Sequence, residues 1–171
     1  MDLGRHIRPI PDFPKPGILF RDITPLLADA EAFATAIERL AAPWRDERLD
    51  AIAAVEARGF LFAAPLAVTL GVGLIPVRKP GKLPADTIAH EYDLEYGSDR
   101  LEMHRGILAP GARVLVVDDV LATGGTAAAC VRLVEAGGGS VVGAAFLVEI
   151  EPLGGRERLE PFRVESVLVY S

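Results

Sequence analysis

Neither asparagine nor glutamine occurs anywhere in the 171 residues, so no side-chain amide is present to read the edge of a nucleobase. The same absence removes thermolabile groups, which fits a heat-loving source. Cysteine occurs once, at Cys130, which excludes an internal disulfide, and its setting among alanines reads as packing. His6, His90 and His104 are too scattered for a zinc site. No apolar run reaches the roughly 18 residues of a membrane span. Arg5, Arg8 and the prolines between Pro9 and Pro25 interrupt any signal-peptide core, so a cytoplasmic protein without membrane contact is expected. Lysine is limited to Lys15, Lys79 and Lys82, and the net charge is -6. General nucleic-acid binding, which needs a basic footprint, is thereby excluded.

What remains is an ordinary soluble mixture, half hydrophobic and a quarter charged. A chain of this length can bury roughly 70% of its unfolded surface in one domain, here residues 1–171. The stretch 1–22 is proline-rich and reads as a cap. Leu26, Leu27, Phe33, Ile37 and Leu40 share one face of a helix expected over 25–40. Strands are expected over 50–55, 74–78, 113–117, 141–148 and 164–170, with helices over 60–70 and 127–136. Pro65 should kink or shorten the first of these two helices. From Thr87 to His104 apolar residues alternate around a turn at Gly97-Ser98-Asp99, the pattern of a β-hairpin. Strands alternating with helices make the fold class α/β, an open parallel sheet flanked by helices. The N-terminal cap and a flexible loop with its hairpin, 79–104, are appended to it.

The most informative segment is Val114-Leu115-Val116-Val117-Asp118-Asp119-Val120-Leu121-Ala122-Thr123-Gly124-Gly125-Thr126. A buried strand ends in two acids, and a glycine–threonine turn leads into a helix. The amides of Ala122, Thr123, Gly124, Gly125 and Thr126 can converge on an anion, since the glycines carry no Cβ to obstruct it. The helix start adds free N–H groups and a positive dipole end. Ionised Asp118 and Asp119 are acceptors only and suit ligand hydroxyls. A phosphorylated sugar satisfies both halves. A Walker loop and a dinucleotide fingerprint are both missing, and a plain strand–turn–helix corner has no need of paired acids.

Other segments admit two readings each. Arg58, in the turn Glu56-Ala57-Arg58-Gly59 after a strand, is an anion contact or a surface partner of Glu56. The run from Arg78 to Lys82, with Lys79 and Pro80-Gly81 between, is a cationic flap or a solvated basic loop. Glu95 at the hairpin tip could accept a proton from a base nitrogen, or could be one more solvated charge. The cap segment 13–22 offers aromatic Phe20 and an extended backbone that suits the donor–acceptor edge of adenine; otherwise it merely covers the core.

The thirteen-residue run matches the ribose-5-phosphate signature of the type I phosphoribosyltransferases. Together with Phe-Pro-Lys-Pro-Gly-Ile-Leu-Phe-Arg-Asp-Ile-Thr-Pro (13–25), Glu-Ala-Arg-Gly-Phe (56–60), Arg-Lys-Pro-Gly-Lys-Leu-Pro (78–84), Glu-Tyr-Asp-Leu-Glu-Tyr-Gly (91–97) and Gly-Arg-Glu-Arg-Leu (155–159), it resembles the adenine-using branch of that family nearly end to end. The resemblance implies the type I phosphoribosyltransferase fold. It implies purine salvage: adenine and 5-phosphoribosyl-1-pyrophosphate give AMP and pyrophosphate, with Mg2+ held mainly by the substrate pyrophosphate, in a homodimer. By resemblance Ala122, Thr123, Gly124, Gly125 and Thr126 hold the 5′-phosphate, and Asp118 and Asp119 the ribose. Ala57 and Arg58 bind pyrophosphate, with a cis peptide at that turn, and Arg78, Lys79 and Lys82 close over it. Leu19, Phe20 and Arg21 form the base pocket. Glu95 and Arg58 are assigned to catalysis. Pro80 stands where related chains often carry a basic residue, which alters the charge of the flap. The alternatives are a phosphoribosyltransferase for a 6-oxopurine or a pyrimidine, and a non-catalytic ligand-sensing regulator of the same fold. The first would want a deep lysine, and the second an added DNA-binding module; neither feature is evident.

Overall fold

The computed structural model describes residues 1–93 and 97–171. Five parallel strands form its centre: β3 (Ala51–Val55), β4 (Gly73–Val77), β7 (Arg113–Leu121), β8 (Ser140–Ile150) and β9 (Arg163–Tyr170), in the order β4-β3-β7-β8-β9. All five residues of β3 are buried, as a strand covered on both faces must be. One face packs α4 (Gly125–Ala136) against Val114, Val116 and Phe146, with Leu101 and Met103 from the hairpin. The other face holds α2 (Ala30–Ala41) and α3 (Arg58–Leu70) around Trp44, Phe62, Leu115, Val117 and Leu147. Each fully buried side chain of this size contributes about 1.5–3 kcal/mol through removal from water.

The sheet and its two helical layers follow the sequence pattern, with several differences of detail. The helix expected over 25–40 is two helices, α1 (Thr24–Ala28) and α2, because Asp29 is extended and caps the second by accepting the Ala32 N–H at 2.9 Å. Strand β7 does not end at the two acids. It runs on to Leu121, with Asp118 and Val120 paired to Phe146 and Val148 of β8. Helix α3 begins at Arg58 and continues past Pro65 to Leu70, so the proline does not shorten it. Its end at Gly71, φ 69°, satisfies the left-handed turn that ends many helices.

The cap is not simply a loop. Strands β1 (Arg8–Pro11) and β2 (Leu19–Asp22) pair antiparallel, with Ile10 opposite Phe20. The hairpin is present as β5 (Thr87–Asp93) and β6 (Ser98–His104), with Tyr92 opposite Asp99. Ser98 and Asp99 therefore belong to the second strand rather than to the turn, and Glu95 lies outside the described residues. Backbone bonds between Arg78 and Glu102, 2.9 and 2.7 Å, tie the end of β4 to β6. The stretch after β8 holds a short 3-10 turn, Glu151–Leu153, and α5 (Gly155–Arg158).

Candidate active site

After β3 the chain moves out to β4 on one side, and from β7 onward it builds the other side of the sheet. The carboxyl ends of β3 and β7 thus flank the switch point where ligands settle in open α/β sheets. A cleft of about 720 Å³ opens there, lined by Gly17 to Arg21, Arg58, Asp118 to Ala127, Ile150, Pro152, Leu153, Tyr170 and Ser171. It joins three groups that the sequence reading had placed in one site: the glycine–threonine turn, the paired aspartates and the cap.

The turn from Ala122 to Gly124 brings the chain from β7 into α4, and Gly124 takes φ 81°. The two glycines also make room for a neighbouring segment of the chain. A Cβ at Gly124 would lie 2.7 Å from the Gly155 carbonyl oxygen, and one at Gly125 would lie 3.2 Å from Arg158 Nη1. What the missing side chains admit is therefore the backbone and side chain of the α5 segment. Residues 122–126 line the cleft, with the N-terminus of the twelve-residue α4 behind them.

Arg58 begins α3 and reaches across to β7, where its Nε donates to Asp119 Oδ2 at 2.5 Å. Its carboxylate partner is therefore Asp119 rather than Glu56, and 55% of the side chain stays open to solvent. Burial pulls the guanidinium down, but Asp119 and then Asp118 more than offset that, leaving it above its ordinary value. Asp119 is 3% exposed. Burial, with the Asp119 charge alongside, pushes the Asp118 carboxyl well above the usual carboxylate range. Asp118 Oδ1 accepts the Asp119 N–H at 2.8 Å and lies 2.8 Å from where a Gly59 Cβ would stand, so a side chain there would displace that carboxylate. The Glu56–Ala57 peptide is cis, as the resemblance implied.

The aromatic end is built by the cap. Phe20 meets Phe13 edge to face, with ring centroids 5.1 Å apart, and the Arg58 guanidinium sits 5.9 Å from the Phe20 centroid. Arg21 stacks on Tyr170 at 3.9 Å. Leu19, Phe20 and Arg21 all line the cleft. Tyr170, Ile150 and Leu153 line it too and were missed. Tyr170 and Ile150 end parallel strands, and the crevice rule applied to β8 and β9 would have found them.

Arg78, Lys79 and Lys82 are not brought to the cleft. Arg78 Nη2 lies 3.4 Å from Glu56 Oε2. Lys79 Nζ donates to Asp99 of the hairpin, and its backbone N–H to Glu56. The Tyr92 hydroxyl donates to the same Asp99 carboxylate at 3.2 Å and lies 3.5 Å from Thr126 Oγ1, so the hairpin touches the glycine–threonine turn. Among the described residues no cluster of three or more His, Cys, Asp or Glu could hold a metal by itself. No described helix is long and apolar enough to cross a membrane.

Comparison with known proteins agrees with this geometry. A family model described as the phosphoribosyl transferase domain matches residues 26–165. Adenine phosphoribosyltransferase of Roseiflexus sp. (strain RS-1) is 60% identical over 169 residues, covering 99% of this chain and 98% of that one. The crystal structure of adenine phosphoribosyltransferase from Thermoanaerobacter pseudethanolicus superposes with a TM-score of 0.96 at 54% identity, covering 99% of this chain and 98% of its own. The Saccharomyces cerevisiae enzyme, solved with adenine and an iminoaltritol bisphosphate, gives a TM-score of 0.92 at 38% identity, covering 98% of this chain and 97% of its own. By sequence, by fold and by the residues gathered at its cleft, the chain belongs to the phosphoribosyltransferase family.

Proposed function

We propose that this protein transfers the 5-phosphoribosyl group from phosphoribosyl pyrophosphate to adenine, yielding AMP and pyrophosphate in purine salvage. The observation that carries the reading is the meeting, in one cleft, of the glycine–threonine turn at the start of α4, two carboxylates and an aromatic cap. The cradle at 122–126 takes the 5′-phosphate, and Asp118 and Asp119 take the ribose hydroxyls. Ala57 and Arg58 face the pyrophosphate, while Phe20 covers the base and the backbone of Leu19 and Arg21 reads its edge. Relatives named for adenine at 52–60% identity support adenine over a 6-oxopurine or a pyrimidine.

The bond that breaks joins C1′ to the pyrophosphate oxygen, and the bond that forms joins C1′ to a ring nitrogen of the base. Positive character develops on the ribose, which nearby carboxylates tolerate. Arg58 meets the charge that collects on the departing pyrophosphate. The loop and hairpin, 79–104, would bring Lys79 and Lys82 over it and keep water from C1′. Glu95 would take the proton that the base nitrogen sheds. The carboxylates of Asp118 and Asp119 in the cleft fit a magnesium ion that would draw most of its ligands from substrate oxygens. When bound, it neutralises the leaving group.

A homodimer is part of the reading, since α3 presents an apolar stripe of Leu61, Ala64 and Val68, the last 83% exposed. A cytoplasmic setting fits substrates that are highly charged metabolites, and the lack of side-chain amides fits a thermophilic source. The test is incubation with phosphoribosyl pyrophosphate and, separately, adenine, hypoxanthine, guanine or orotate. AMP should form in large excess over the other nucleotides. Pyrophosphate release matched or exceeded by another base would remove adenine. Tight sugar-pyrophosphate binding without release by any base would make the protein a sensor.

A further inference from the structure

The proposed 5′-phosphate cradle is rich in N–H donors, yet its obvious cations are engaged elsewhere. Arg58 is held by Asp119, and Arg21 is stacked on Tyr170. Asp118 and Asp119 stand beside the cradle, and the dipole of α4 supplies only about half a charge. A dianion at this place calls for a further cation.

The α5 segment provides one. Glu149, 4% exposed at the end of β8, receives Arg156 Nε and Nη2 at 3.0 and 2.6 Å and the Ser166 hydroxyl at 2.6 Å. Arg156 Nη1 also donates to the Val164 carbonyl at 2.7 Å. This bidentate brace fixes α5 against the sheet. Gly155 then presses backbone to backbone on the cradle: a Cβ there would overlap the Ala122 carbonyl oxygen and lie 2.8 Å from Leu121 Cδ1. The consequence falls on Arg158, one turn further on. Its Nη1 lies 3.2 Å from the point a Gly125 Cβ would occupy, and Thr123 Oγ1 is 4.0 Å from that same point. Arg156 and Arg163 are committed to Glu149 and Glu165, whereas Arg158 has no carboxylate partner among the described residues.

We propose that Arg158 is a phosphate-binding residue, supplying the side-chain positive charge of the 5′-phosphate subsite, and that Glu149 and Arg156 are the positioning residues that place it. This deepens the function proposed above and rests on it for the identity of the ligand. Arg158 is solvent-exposed and belongs to no buried cluster, so its replacement leaves the fold intact.

The experiment compares wild type, R158Q and R158K in full-length protein by calorimetric titration with AMP, adenosine and ribose 5-phosphate. In R158Q the affinity for AMP and for ribose 5-phosphate should fall about tenfold, the scale of one charge-assisted hydrogen bond. Adenosine, which lacks the phosphate, should bind R158Q as it binds wild type. R158K should keep most of the affinity as a point charge, and the AMP affinity of R158Q should depend less on salt. Unchanged AMP affinity, or equal weakening of AMP and adenosine, would overturn the assignment. If wild type fails to make AMP from adenine, the proposed function falls instead. Arg158 is then judged on ribose 5-phosphate alone, where retained affinity in R158Q would still refute it.

Discussion

Replacing Gly124 by alanine separates two costs that the phosphate turn imposes, and a control exists in the same chain. Gly124 (φ 81°) and Gly138 (φ 86°) are both left-handed. A Cβ at Gly138 meets nothing within 4 Å, whereas one at Gly124 would stand 2.7 Å from the Gly155 carbonyl oxygen and 3.1 Å from its Cα. The left-handed conformation costs an L-residue about 1–2 kcal/mol. Loss of unfolded-state freedom returns about 0.4–1 kcal/mol. G138A should therefore destabilise by about 0.5–1 kcal/mol. G124A adds an overlap with backbone, which cannot swing aside like the end of a side chain, and overpacking of this kind costs about 1–3 kcal/mol more. Urea denaturation read by circular dichroism gives both values on one scale. The functional split is sharper. Movement of α5 away from the turn shifts the phosphate-binding amides, so KM for phosphoribosyl pyrophosphate should rise strongly in G124A and stay at the wild-type value in G138A. If the two variants differ by less than about 0.5 kcal/mol and share one KM, the turn is not packed against Gly155 as described.

Asp118 has a raised pKa, so its charged form is disfavoured in the fold and stability falls as pH climbs from the unfolded value, about 3.9, through the folded one. D118N should remove that loss, melting higher than wild type at pH 8 but not at pH 3, while weakening sugar-pyrophosphate binding. Glu149 shows the opposite sign: hydrogen bonding by Arg156 foremost holds it below its ordinary value, so its contribution is full above the normal carboxylate range and fades as pH drops through the lowered folded value. R156A should cost about 1–3 kcal/mol by unpairing that buried carboxylate and should flatten the acid limb of the stability curve, measured by thermal melts from pH 2 to 7. E95Q should lower kcat by about 10²–10⁴, the range of a lost general base, with KM for adenine nearly unchanged. A kcat within about twofold of wild type in stopped-time assays would remove Glu95 from proton transfer.

Much of this architecture is legible in the sequence because local rules decide it. The short apolar run before Asp118, bounded by acids and a glycine turn, reads as a strand covered on both faces, and the adjacent glycines between threonines read as a tight turn into the next helix. Alternation fixed the hairpin, and the crevice rule placed the turns after β3 and β7 in one space. What escaped was decided by partners far apart along the chain. Arg58 finds Asp119 across 61 residues, and Lys79 finds Asp99 across 20. No periodicity announces which carboxylate an arginine will choose. The break at Asp29 was missed because the apolar face continues through it, while the capping acid signals a boundary only if read against that continuity. The α5 buttress was missed for a related reason: Gly154-Gly155 looks like loop, and its task appears only when Gly155 is seen against Ala122.

Three of the four cations assigned to pyrophosphate, all but Lys82, share one further property, and it bears on how an acidic protein can handle a polyanion. Arg58 is paired with Asp119, Arg78 with Glu56 and Lys79 with Asp99. Each would leave one anionic partner to meet another, so the gain on binding is the difference between two ion pairs rather than a whole one, and close pairs of this kind are worth little net in a wet cleft. Asp119 released from Arg58 is in turn available to ribose hydroxyls, so one exchange arms both the pyrophosphate and the sugar contacts. The exchange leaves the total charge of cleft and flap unchanged. The charge of the pyrophosphate must then be met by something that arrives with it, and a divalent cation on the substrate does so without asking the protein for a ligand cluster of its own. The 5′-phosphate cannot share that solution, because it sits at the far end of the ribose from the pyrophosphate. A fixed and otherwise unpartnered cation such as Arg158, held in place by α5, is the arrangement that its separate position requires.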